Sequence, residues 1–208
     1  MLNFEKIVMM INWFARQNHD KSIDKLDILK LIYLSDRYHL RRFGRLISGD
    51  CYFAIDMGPV PSYTKNIFDS RKKLLKHEAE FAYEYLNIQG NTIHSKKSSD
   101  KNYFCESELE ALNATRLKSL LVKQNQESRP DFTHHFPEWK ECEASLMSGV
   151  KRKKMNILKF FEELSDGDRA LFEYCPAQSR LLASNKQKFI ERQKLEKMIG
   201  EIHATQYF

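Results

Sequence analysis

Three groups of side chains in this 208-residue chain have the types and spacing that chemistry would need. In "HHFPEWKEC" the residues His135, Glu138 and Cys142 stand three and four positions apart, and imidazole, carboxylate and thiolate are all zinc ligands. Asp36, Arg37 and His39 form a second group: histidine titrates near neutral pH and a carboxylate can orient it for acid/base work. The third is "KRKKMNILKFF", where Lys151, Arg152, Lys153 and Lys154 precede two aromatic residues, a pattern that gains affinity for phosphates through counterion release.

Each group also has a plainer reading. A proline interrupts the first, no His-Glu-x-x-His arrangement accompanies it, and His134 and Trp139 are expected to serve the fold, one in a buried hydrogen bond and the other in the core. No Ser or Cys nucleophile is tied to the second, so Asp36 is expected to pair with Arg37 or Arg41. A basic run at a helix start opposes the helix dipole and is more often solvated than bound to nucleic acid. No catalytic residue, metal or cofactor is therefore expected.

Composition narrows the classes further. Seven glycines are about half the usual ~7%, which argues against glycine-rich phosphate loops. The net charge is +6, and Lys151 to Phe208 carries 12 Lys and Arg against 8 Asp and Glu, so +4 of it lies in the last quarter. Cysteines at 51, 105, 142 and 175 form no C-x-x-C pair, which fits reduced thiols in a cytoplasmic protein. Glu5 and Asn12 interrupt the apolar start, so neither a secretory signal nor a membrane span is expected.

The elements that must position these residues are mostly helical. Phe4, Ile7, Val8, Ile11, Phe14 and Ala15 follow the i, i+3, i+4, i+7 rule of an amphipathic helix. A second helix begins near Asp24; "LDILKLIYL" is apolar on nearly every side, which predicts a central helix, and Arg41, Arg42 and Gly44 mark its end. "CYFAI" reads as a short strand, and 82 to 95 as two strands joined at Gly90-Asn91. Ser107 with Glu110 reads as a capping box opening another helix, the stretch 124 to 139 as irregular, and the remainder as helical, with breaks near Ser148-Gly149 and Pro176.

Between the strand and the helix that follows lies "AIDMGPVPSYT". Proline fixes φ and restrains the residue before it, so Gly58, Pro59, Val60 and Pro61 lose most of their freedom together and form a stiff corner. The corner ends a strand and seats a helix; in a second reading its stiffness preorganises a contact surface.

The stretch from Ile28 to Ser62 resembles the Panacea domain, the antitoxin domain that includes SocA-like proteins and phage-associated relatives. The resemblance rests on Lys30, Leu31, Ile32 and Tyr33, then Gly49, Asp50 and Ala54, then Gly58, Pro59 and Val60, with a further match at Thr133, His134 and Trp139. Many relatives have Glu-Ala-Trp in the strand where this chain has Phe53, Ala54 and Ile55. The resemblance implies a mainly α (α+β) fold, a helical domain with a short antiparallel β element, here taken as 1–150, followed by a helical C-terminal extension, 151–208. It implies a non-catalytic antitoxin of a toxin–antitoxin system that neutralises a protein toxin, encoded by an adjacent gene, through direct protein–protein binding. A proteolytic-adaptor role, with a protease as second partner, is known for SocA-like members. The expected contact residues are Tyr33, Asp36, Gly58, Pro59, Val60, Pro61, Tyr63 and Phe68. The alternative reading is an autoregulatory nucleic-acid binder using Lys151, Arg152, Lys153 and Lys154.

Overall fold

A computed structural model describes residues 2–69, 74–98, 103–124, 129–162 and 176–205. Its centre is the helix that the sequence marks as apolar all round. This α2 (Lys25–Phe43) starts where Asp24 caps it, the carboxylate accepting from Leu26 N at 2.7 Å, and stops at Gly44, whose φ of 71° closes the last turn. Around it pack α1 (Phe4–Arg16), α5 (Glu106–Gln124), α6 (Arg129–His134) and α8 (Pro176–Thr205).

Two three-stranded antiparallel sheets flank these helices. In the first, β1 (Ser22–Asp24), β5 (Thr92–Ser95) and β4 (Leu86–Gln89) lie in the order β1-β5-β4, and the two-residue turn Gly90-Asn91 joins β4 to β5. In the second, β2 (Tyr52–Ile55) lies between β3 (Gly58–Pro61) and β6 (Lys153–Lys154). The remaining helices are α3 (Ser62–Asp69), α4 (Lys76–Tyr85) and α7 (Pro137–Met147), with a 3₁₀ turn at Ile157–Phe161. The chain is mainly helical with short antiparallel β elements.

Helix α2 is enclosed because it divides two cores. Ile28, Leu29, Leu31 and Ile32 pack with α1, α4, α5 and the first sheet. Tyr33, Leu34 and Leu40 pack with β2, α6, α7, the 3₁₀ turn and Phe189 of α8. The ring of Tyr33 meets those of Tyr52, Phe136 and Phe160 edge-on at 5.7, 5.8 and 5.5 Å, contacts each worth about 0.5–1.5 kcal/mol beyond simple burial. Residues 153–161 thus pack against α2 and β2, and α8 is seated through Asn185, whose Nδ2 donates to Arg41 O at 3.0 Å and Arg42 O at 2.7 Å.

Several local expectations are corrected. The stiff corner is itself a strand: Gly58–Pro61 pairs with β2 across the two-residue turn Asp56-Met57. Ser62 N donates to Cys51 O, and antiparallel alternation then places the hydrogen-bonded pairs at Phe53–Val60 and Ile55–Gly58. Pro59 and Pro61 fall at the intervening positions, where the backbone nitrogen faces away from β2 and no N–H is required. Residues 82 to 85 end a helix instead of beginning a strand. Within the stretch read as irregular, residues 129 to 139 hold α6 and the start of α7, and Pro137 occupies the first turn of α7, where its missing N–H costs nothing. The capping residues of α5 lie two positions earlier than expected: Glu108 Oε2 accepts from Cys105 N at 3.1 Å, while Ser107 faces His39. Lys153 and Lys154 form a strand, not a helix start. Residues 163–175, read as helical from the sequence, lie outside the described residues.

Candidate functional site

The motif residues at 30, 58–60, 133–134 and 139 meet at one place, the inner side of the β2–β3 hairpin. Lys30 is fully buried on α2, and its Nζ donates to Met57 O and, at 2.9 Å, to Pro59 O. Burial lowers the Lys30 pKa to about 7, because desolvation disfavours the ammonium. Gly58 lies over this group with a φ of 88°. A Cβ there would stand 2.6 Å from Thr133 Oγ1 and 2.8 Å from Lys30 Nζ. Trp139 completes the group: its Nε1 donates to Ile55 O at 3.1 Å and its indole stacks on His134 at 3.9 Å.

A second group lies one helical turn along α2. Tyr33 Oη donates to Glu138 Oε1, which also takes Arg37 Nε at 2.7 Å; all three side chains are buried. The guanidinium of Arg37 stands 4.4 Å over the Phe136 ring. Burial, with the Glu138 carboxylate close by, pushes the Tyr33 phenol well up. Arg37 and Arg41 then fasten the chain after the 3₁₀ turn, Arg41 Nη1 donating to Phe160 O at 2.8 Å and Glu162 O at 2.6 Å and Arg37 Nη2 to Glu162 O at 3.2 Å.

The acidic members of the motif hold loops. Asp36 does not pair with an arginine: its carboxylate accepts from Ile47 N at 2.6 Å, Ser48 N at 3.0 Å, Ser48 Oγ and Tyr52 Oη at 2.6 Å. Burial raises its pKa to about 6 against the pull of those donors. Asp50 accepts from Tyr63 N, Thr64 N and Thr64 Oγ1, each at 2.8 Å, and so anchors the start of α3. Burial raises its pKa as well.

The residues singled out for chemistry go separate ways. His39 turns to Arg45 O at 2.8 Å and Ser107 Oγ at 3.0 Å, away from Asp36, and burial lowers its pKa to about 4. Glu138 is taken by Tyr33 and Arg37, Cys142 Sγ faces Glu138 O at 3.6 Å, and His135 is exposed. Among the described residues no three His, Cys, Asp or Glu side chains are grouped to hold a metal ion. In the basic run, Arg152 lies 3.5 Å over the Phe53 ring and donates to Ser62 Oγ at 2.7 Å, and Lys153 donates to Ser145 Oγ at 2.9 Å. Lys151 and Lys154 are exposed.

Of the expected contact residues, Tyr33, Asp36, Gly58, Pro59, Val60, Pro61 and Phe68 are buried and Tyr63 is half-buried, its Oη on both Glu78 oxygens at 2.8 Å. The accessible part of the hairpin is its turn, Asp56 and Met57, the latter 48% exposed. The network of Tyr33, Arg37, Arg41 and Glu138 is not visible as a unit in the sequence. Its one signal is local: charged residues recurring on a helix that reads as enclosed require buried partners.

Residues 28–140, more than half of the chain, match the family described as "Antitoxin SocA-like, Panacea domain". No match to a curated protein or to a solved structure was found. Among the described residues no helix is long and apolar enough to cross a membrane.

Proposed function

The chain belongs to the SocA-like, Panacea-domain antitoxin family, and on that premise we propose that it is a non-catalytic antitoxin that neutralises a protein toxin by direct binding. The observation that carries this reading is the family match itself, with its motif spent on structure. Lys30, Gly58, Thr133 and Trp139 close on one hairpin, where Lys30 and Trp139 donate to its backbone carbonyls and Thr133 packs against the glycine. Such a motif supports a rigid display surface, and rigidity lowers the ordering cost of binding.

In this reading the buried contact candidates Tyr33, Asp36, Gly58, Pro59, Val60, Pro61 and Phe68 hold the scaffold, and the toxin meets what they present, Asp56, Met57 and the edge of Tyr63. The nucleic-acid reading of residues 151–154 has less behind it, since Arg152 and Lys153 are engaged within the chain.

The test is co-expression with the product of the adjacent gene. That product is expected to arrest growth alone and to be harmless with this chain, and the two are expected to co-purify. Arrest that persists with this chain present at equal abundance refutes the reading. Toxin abundance then separates the two modes: a steady level means blocking, and a protease-dependent loss means an adaptor role.

A further inference from the structure

Helix α8 leaves the body of the protein after Phe189: residues 191 to 195 are exposed, and Leu195 is 56% exposed. Where it departs, a cleft of about 380 Å³ opens between it and the 45–52 loop, with β6 at its side. Its accessible apolar lining is the half-buried Leu46 and Ile157, backed by the buried Ile47, Met155 and Phe189. Four cations stand around it, Lys6, Arg45, Lys154 and Arg192, against Asp50 and Glu196. Lys6 and Arg45 share the buried carboxylate of Glu108 at 2.8 and 2.7 Å, and Asp50 is occupied with α3. Lys154 and Arg192 have no carboxylate within 4 Å among the described residues.

We propose that this cleft is a docking site for an acidic protein segment, a carboxylate-bearing stretch that sets an apolar side chain against Leu46 and Ile157 while its charges meet Lys154 and Arg192. Charge complementarity decides the occupant. The two cations have no carboxylate partner among the described residues, they lie on separate elements that face one gap, and the gap has an apolar lining that an inorganic anion would not use. A cation opposite a carboxylate at such a half-sheltered site interacts more strongly than on an open surface, and salt weakens it. The identity of the occupant as a part of the toxin rests on the antitoxin reading above; the chemistry of the cleft does not.

Two arms separate those claims. In the first, a fluorescein-labelled peptide of one phenylalanine flanked by glutamates is titrated by fluorescence anisotropy against the full chain. Binding is expected to weaken about tenfold between low and high salt. It is expected to fall at least tenfold in Lys154→Glu/Arg192→Glu and to stay unchanged in Lys194→Glu, an exposed position of α8 outside the cleft. Melting followed by circular dichroism checks that the double variant folds. No salt-sensitive binding by the wild-type chain, or equal binding by the folded double variant, overturns the proposal. So does preference for a polythymidylate of equal charge over the peptide. In the second arm the double variant is co-expressed with the adjacent gene product: loss of protection by this variant but not by Lys194→Glu supports the docking site as part of toxin recognition. Failure of the wild-type chain to protect refutes the antitoxin reading and leaves the peptide titration to judge the cleft.

Discussion

Gly58 and Thr133 lie so close that no side chain fits between them: a Cβ on the glycine would stand 2.6 Å from Thr133 Oγ1. The glycine also holds a φ of 88°, which L side chains rarely adopt. The glycine of the motif is therefore required twice, by backbone geometry and by the approach of α6.

Gly58→Ala is expected to lose roughly 2–4 kcal/mol of stability from strain and overpacking together. Gly90→Ala supplies the control: its φ is 54°, but nothing lies within 4 Å of the added Cβ, so about 1 kcal/mol is expected. Urea denaturation of both variants measures the difference.

Lys30 gives the fold a pH dependence of known sign. Burial lowers its pKa to about 7 from 10.5. Between those values the unfolded chain binds the proton that the native chain has released, so stability rises with pH from about 7 upward. Tyr33 and Tyr52, with raised pKa values, act the other way only above about 10. Lys30→Met is expected to abolish the rise in urea midpoint between pH 7 and 9.5, while leaving Met57 O and Pro59 O without their donor.

Glu138→Gln is expected to cost roughly 3–5 kcal/mol, because it removes the buried negative charge that accepts from both Arg37 Nε and Tyr33 Oη. Adding Arg37→Met should recover part of the loss. A double-mutant cycle by thermal or urea denaturation reads the coupling.

Asn185→Ala removes both donors to the last carbonyls of α2 and is expected to cost about 1–3 kcal/mol. Cleavage of α8 by limited proteolysis should quicken in this variant more than the overall melting temperature falls.

The sequence made α1, α2 and the Gly90-Asn91 hairpin readable because each has a local cause: an apolar period, an enclosed helix with a glycine end, a two-residue turn. It misled where prolines were taken as breakers. Pro137 starts a helix, and Pro59 and Pro61 sit in a strand whose outward nitrogens need no proton. Both facts depend on which way a backbone group points, which residue type alone does not reveal. The motif's convergence on Gly58 was equally hidden, since Lys30, Thr133 and Trp139 are brought together by the packing of α2, α6 and α7. Tyr33 and Glu138 are 105 residues apart in the chain, and no local pattern links them.

The two imino rings of β3 have a consequence for how this protein meets others. Their side of the hairpin offers no N–H at Pro59 or Pro61, and the Pro59 carbonyl is already claimed by Lys30. Such a border cannot be zipped onto a neighbouring ribbon, whether from a foreign chain or from a misfolded copy of itself. In the folded chain this flank lies buried beneath α2 and α6, so the barren border matters whenever those helices part, and it guards the molecule against templated clumping while it folds.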